Sequence, residues 1–260
     1  MRKYLRVWFL LSIATFQSFF VSRFGAGLFL LGKMIRFLFF GLFLILLLSR
    51  TKVLAGYNIW QIILFYLTFN LIDSATQMLF RKVYRFREQI VKGGFDLTLV
   101  KPVNSLFNSL LGWTDILDFI TLFPLAIMIG FTISKIPEIN FIRIIYYLIL
   151  IINGLLIATA FHIIVLSLAI LTTEIDHTIM IYRDFTGMGK VPINIYAEPL
   201  RSFLTFVIPV GIMMNFPVDA LIGALSFSGV LIAIAICAIF LSLSLFLWKY
   251  ALRYYTSASS

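Results

Sequence analysis

The sequence predicts an all-α integral membrane protein with six transmembrane helices, preceded by an amphipathic helix lying in the membrane interface. Three observations carry this. The 260 residues are 62% hydrophobic and 12% charged, with a mean hydropathy of +1.04; a soluble domain is roughly 25% charged. The apolar residues fall in runs long enough for a ~30 Å hydrocarbon core. The basic residues gather on one side of those runs, as they do in membrane chains.

The chain starts MRKYLRVWFLLSIATFQSFFVSR, a basic head and an apolar body like those of a signal peptide. Ser12, Thr15, Gln17 and Ser18 interrupt the body, and Arg23 follows in place of a small-residue cleavage site. At about 1.5 Å per residue, 7–22 would cover only ~24 Å. Residues 1–24 are therefore expected as a helix in the interface, with Trp8 against lipid.

The spans follow at 28–48, 59–79, 113–133 and 141–171, with a shorter fifth candidate at 203–216 that contains Pro209, and a sixth at 220–248. All of the 21 lysines and arginines except Arg50, Lys52, Lys135 and Arg143 then fall on one side. That asymmetry predicts a multi-pass protein of the cytoplasmic (inner) membrane with both termini cytoplasmic. The net charge of +10 reads as orientation rather than nucleic-acid binding. Cys237 is the single cysteine, so an internal disulfide and a cysteine metal site are both excluded.

Residues 172–199, TTEIDHTIMIYRDFTGMGKVPINIYAEP, fit this scheme least. Glu174, Asp176, Arg183, Asp184, Lys190 and Glu198 lie there, and each charge costs about 2.5–3.5 kcal/mol at the centre of a lipid-facing helix. The segment is expected at the cytoplasmic interface. The rival is a polar span facing the protein interior, followed by a re-entrant outer hairpin around Pro209 and Pro217. Both routes return the C-terminus inside.

Bond-breaking chemistry finds little support. Gly187-Met188-Gly189-Lys190 invites a phosphate-loop reading, but Asp184 stands at its first glycine and Val191 at its hydroxyl position. The chain thus lacks an ATP-binding motif, holds no cofactor of its own and is not expected to be an enzyme. Glu174-x-x-His177 has di-metal spacing without a second copy, and His162 has no acidic residue at that spacing. Asp73, Asp115 and Asp118 fall within or near spans and are functional candidates. The bland reading of Asp115 and Asp118 is a solvated or helix-starting role.

RKVYRFREQIVKGGFDLTLVKPV, residues 81–103, packs six basic residues, two acidic ones and a Gly-Gly pair between two membrane runs. The second span is expected to continue to about Lys92, with Arg85 pairing Glu88 or Gln89. Gly93-Gly94 then stops the helix, a short element follows, and Pro102 opens a helix over 103–111. A basic loop resting on anionic lipid explains the arginines. A rigid knob with exposed Phe95, Leu97 and Leu99 reads better as a docking surface for another protein.

KGGFDLTLVKPV resembles the glycine, hydrophobic, Asp, apolar, Arg/Lys-Pro stretch in the first cytoplasmic loop of type-2 ABC exporter permeases. The likeness is strongest to a subfamily of small six-span permeases of mostly unassigned substrate. VPINIYAEPLRSFLTFVIPVGIMMNFPVDALIG, residues 191–223, is similar to that subfamily's signature through Pro192, Tyr196, Pro199, Arg201, Pro209 and Pro217. Val191 replaces a signature tyrosine and Ala197 a proline. The resemblance covers 1–260 as one permease domain: interfacial helix 1–24, cytoplasmic coupling loop 81–112 and signature region 172–223.

It implies the transmembrane subunit of an ATP-driven exporter for a hydrophobic or amphipathic substrate, such as a drug, lipid, glycolipid or peptide. A separate ABC ATPase subunit would hold ATP and magnesium, and a second permease chain, identical or paralogous, would face this one. The ATPase contact would fall on Arg87, Glu88, Lys92, Gly93, Gly94, Phe95, Asp96, Leu97, Lys101 and Pro102, a coupling helix with its tip at Phe95 to Leu97. The competing class is a channel, lipid scramblase or assembly scaffold that needs no ATPase.

Overall fold

The computed structural model describes residues 2–21, 23–51, 53–137, 139–172 and 176–256. Among them the chain is helical without strands. Five helical stretches are long and apolar enough to cross a bilayer. They belong to α2 (Arg23–Thr51), α3 (Ile59–Phe80) with its continuation to Val91, α7 (Ile116–Ile133), α8 (Phe141–Thr172) and α12 (Phe227–Arg253).

α3 is the central helix. Asn58 and Gln61 start it with reciprocal side-chain bonds to each other's backbone N–H, at 3.1 and 2.9 Å, a capping box. Ile62, Leu64, Phe65, Leu67, Thr68, Phe69 and Ile72 are all buried, because α7 and α8 pack on it. α8 and α12 pack along each other, with Ala158, Ala233 and Cys237 in one buried cluster; small residues let membrane helices pack closely. Asn153 Nδ2 donates to the Ala233 carbonyl there at 3.3 Å. α2 differs: Leu44 and Leu48 are buried, but Leu28, Leu31, Phe39, Phe43 and Leu46 are exposed.

Both described ends of the chain meet the loop between α3 and α7. That loop holds a tight helical turn, Arg81–Arg85, then α4 (Phe86–Val91), α5 (Gly94–Leu99) and α6 (Ser105–Leu111). Lys3 in α1 (Arg2–Val21) donates to the Pro102 carbonyl at 2.7 Å. Tyr255, after α12, donates to Asp96 at 2.8 Å. This end is termed basal and the opposite end apical.

The chain between α8 and α12 departs from the expected interfacial placement. α9 (Asp176–Gly187) starts at the basal end, where Ile179 packs with Phe80, Val83 and Ile170. Further on, Lys190 lies 5.8 Å over the rings of Phe40 and Phe69. Val191 joins the apical cluster around Tyr57 and Ile62, and Asn194 Nδ2 donates to Tyr57 Oη at 2.8 Å. So α9 and the turn after it carry the chain from basal to apical end as a sixth crossing. Its charges are tolerated because polar groups at membrane depth can face protein or a cleft instead of lipid.

The fifth span expected at 203–216 is corrected in consequence. Leu200–Val207 and Gly211–Ile222 are two limbs bent by 79°. The first limb begins as α10 (Leu200–Ser202) and the second ends as α11 (Phe216–Ile222). Pro209 sits at the break, Val210 and Ile212–Met214 pack against Ile72 and Ile157, and Val218 and Leu221 return to the apical cluster. The hairpin needs Gly154: a Cβ there would stand 2.5 Å from the Met213 carbonyl oxygen.

Other boundaries move slightly. α7 begins at Ile116, capped by Asp115, whose carboxylate accepts from Leu117 N at 2.9 Å. α6 begins at Ser105 rather than at 103, because Asn104 caps it by accepting from Phe107 N at 3.1 Å.

Candidate functional site

The basal loop forms a knob. Gly93 takes the left-handed conformation, φ 70°, which glycine adopts without a Cβ penalty. It folds α5 back against α4. The expectation that Phe95 is exposed is corrected: its side chain is fully buried. It meets Phe86 at 5.0 Å and Tyr255 at 5.1 Å edge-to-face, with Trp248 of α12 at 6.3 Å. Burial, with the Asp96 carboxylate beside it, pushes the Tyr255 phenol up to about 12. It therefore stays protonated and donates to Asp96.

The outer face of the knob is apolar and open. Leu97 is 65% and Val100 80% exposed, with Val91 and Leu99 beside them, also exposed. Glu88 pairs with Lys92 at 2.6 Å, not with Arg85, whose guanidinium lies 4.1 Å over the Trp113 ring. Arg81 Nε holds Asp115 at 3.3 Å. α1 braces the same loop: Tyr4 lies edge-on to Phe107 at 4.9 Å and Ser12 bonds Thr114 at 2.8 Å.

The signature residues build the re-entrant hairpin and its entry. Pro192 precedes the turn Ile193–Ile195, Tyr196 Oη donates to the Met188 carbonyl at 3.0 Å, and Pro199 precedes α10. Arg201 pairs with Glu198 at 2.6 Å. Pro217 sits in the first turn of α11. None of these reaches the basal knob. Two buried asparagine and tyrosine contacts escaped the sequence reading. Asn215 accepts from Ile193 N at 2.6 Å and donates to the Gly189 carbonyl at 3.2 Å. Tyr57 Oη donates to Asp219 at 3.0 Å; burial, then that carboxylate, raises the Tyr57 phenol above its ordinary value.

A cleft of about 310 Å³ opens between α2, α3, α7 and α9. Asp118, expected as solvated or helix-starting, is fully buried beside it and ion-paired with Lys33. Lys33 also donates to Ser74 at 3.0 Å. Arg36, Arg183 and Lys190 line the cleft with Asp73, whose carboxylate accepts from Gln77 at 2.7 Å. The sequence reading puts these cations on the cytoplasmic side; they lie along the crossings instead, Arg36 and Arg183 exposed at the cleft and Lys190 half-buried. Arg201 lies with the hairpin at the apical end. The basic bias survives: the basal loop holds Arg81, Lys82, Arg85, Arg87, Lys92 and Lys101, and the apical end holds Arg50, Lys135, Arg143 and Arg201.

His162 is buried, with Nδ1 2.8 Å from the Ala158 carbonyl, and His177 is exposed. Glu174 lies outside the described residues, as does the side chain of Arg23.

Comparison with protein-family models brings these features together. The model of the ABC-2 family transporter protein matches residues 33–259, from the first crossing to the C-terminal tail. The chain belongs to the ABC-2 transporter family. No curated protein and no solved structure matches it. As an ABC-2 permease subunit it is the membrane component of an ABC transporter, and the family implies an ABC ATPase partner. The match begins within α2, so the role of α1 rests on its contacts with the basal loop.

Proposed function

We propose that this permease subunit exports a hydrophobic or amphipathic molecule, driven by a separate ATPase chain that docks on the basal knob. The observation that carries this reading is the division of α5 into two faces. Phe95 locks one face to α4 and the end of α12, while Leu97 and Val100 leave the other apolar and exposed. An exposed apolar patch beside Lys92 and Lys101 fits a protein partner better than a lipid surface. The contact set is accordingly Arg87, Glu88, Lys92, Leu97, Lys101 and Pro102, with Gly93, Gly94, Phe95 and Asp96 shaping the knob beneath it.

The basal end faces the cytoplasm in this reading, since it holds most of the loop cations. ATP and magnesium belong to the ATPase subunit. Closure of two ATPase subunits would push α5, and the Phe95–Trp248 and Tyr255–Asp96 contacts pass that push to α12. A two-state membrane body biased by a ligand bound elsewhere is the mechanism required. A second permease chain, identical or paralogous, completes the path, and the exposed flank of α2 is available to it or to lipid.

The test is accumulation of a panel of amphipathic dyes in cells. Cells lacking the chain are compared with cells expressing it beside an active ATPase subunit, or beside one whose ATP-binding lysine is replaced. Export predicts lower accumulation of at least one dye only with the active subunit. Lower accumulation with both subunits would instead support the channel or scramblase class.

A further inference from the structure

The cleft between α2, α3, α7 and α9 has an unusual combination of lining. Its apolar walls include Phe40 of α2, Phe69 of α3, and Leu125 and Met128 of α7. Into that space come Arg36 from the first crossing and Arg183 and Lys190 from the polar crossing. Lys33 is taken up by Asp118. That leaves three cations against one lining carboxylate, Asp73. Among the described residues, none of the three has a carboxylate within ion-pair distance. Lys190 rests on aromatic rings instead.

Cations within membrane crossings mark ligand or ion paths by default. The sign here is positive, so the complementary ligand is an anion, and the apolar walls require that it also carry a hydrocarbon or aromatic part. A volume of about 310 Å³ sits at the lower end of ligand cavities, roughly 300–1,000 Å³, which suits a headgroup with the start of a tail. We propose that this cleft binds an amphipathic anion, with Arg36, Arg183 and Lys190 holding a phosphate- or sulfate-like headgroup and the tail lying along Phe40, Phe69 and Met128. Arginine suits such a headgroup because its planar fork presents paired N–H donors to two oxygens at once. The inference rests on the transporter reading and narrows its substrate class to anions.

The test uses the full chain, co-purified with its ATPase subunit, in discs of neutral lipid. Radiolabelled dodecyl phosphate is the probe, with dodecyltrimethylammonium and inorganic phosphate as competitors. The expected result is saturable dodecyl phosphate binding that the cationic amphiphile does not displace. Arg36→Gln with Arg183→Gln should weaken it at least ~tenfold, the loss of about one charge-assisted contact or more. Arg36→Lys should weaken it by less than the double variant, since it keeps the charge but loses the fork, and Arg201→Gln, at the apical end, should leave binding unchanged. Equal displacement by dodecyltrimethylammonium, or unchanged affinity in the double variant, would overturn the proposal. Displacement by inorganic phosphate at the affinity of dodecyl phosphate would overturn the amphiphile and leave a free anion. Failure of the double variant to assemble, with no probe bound by the wild type, would assign the cations to a second permease chain and also overturn it. Retention of the ATPase by a chain that binds no probe refutes the anion site alone. Probe binding by a chain that retains no ATPase refutes the docking reading alone.

Discussion

The basal and apical ends each contain short helices that do not cross the membrane, and they are finished in opposite ways. At the apical end, Val210 to Met214 and α11 are buried among α3, α8 and α12, and Asn215, Tyr57 and Asn194 tie the entry and exit of the hairpin together. Phe206 and Val207 of the first limb stay exposed, next to the break, where lipid rather than water is the solvent. At the basal end, α5 buries Phe95 but presents Leu97 and Val100 outward. Where water is the solvent, leaving such residues uncovered is unfavourable. The contrast teaches that the hairpin needs only the chain and lipid to cover it, whereas the knob, in water, is half of an interface.

The strongest way to break this contrast is to remove the anchor of the knob. Phe95→Ala opens a cavity among Phe86, Trp248 and Tyr255, and should cost about 3–5 kcal/mol, read as a lowered midpoint of thermal unfolding in mild detergent. An unchanged midpoint would show that the basal aromatics do not hold the knob. Next comes the hairpin. Gly154→Val drives a side chain into the Met213 carbonyl and should cost about 1–3 kcal/mol, with the midpoint restored by no change at the basal end. Smaller still is Tyr255→Phe, which deletes the bond to Asp96 and should cost about 1 kcal/mol. The sign of its pH dependence follows from the raised phenol. The neutral hydroxyl contributes below the ordinary tyrosine value near 10, and the contribution is lost as pH rises toward about 12. Wild type and Tyr255→Phe should therefore converge in alkali. Smallest in stability is Leu97→Asp with Val100→Asp: exposed positions should move the midpoint by no more than about 0.5 kcal/mol.

Much of this arrangement was legible from residue type and spacing. Gly93-Gly94 announces the break before α5, and five spans follow from apolar runs alone, the last beginning at Phe227 rather than at 220. The sixth crossing was legible only as the rival reading, because the cost of Arg183 and Asp184 in a membrane was reckoned against lipid. Their surroundings are set by helices remote in sequence. For the same reason Arg36 and Arg183 could not be seen to share a cleft. Phe95 was misplaced because an apolar residue on a six-residue helix is equally suited to an anchor or a contact. Only the arrival of Trp248 and Tyr255 from the far end of the chain decides it.

The central claim is that the outward face of α5 receives the ATPase subunit. The most direct measurement is co-purification of that subunit with the wild-type chain and with Leu97→Asp/Val100→Asp, both extracted in mild detergent and both checked for equal thermal midpoints. Phe95 is left intact, since its loss would collapse the knob and confuse folding with docking. The account predicts that the ATPase stays with the wild type and is lost from the equally stable variant. An ATPase held equally by both would contradict it.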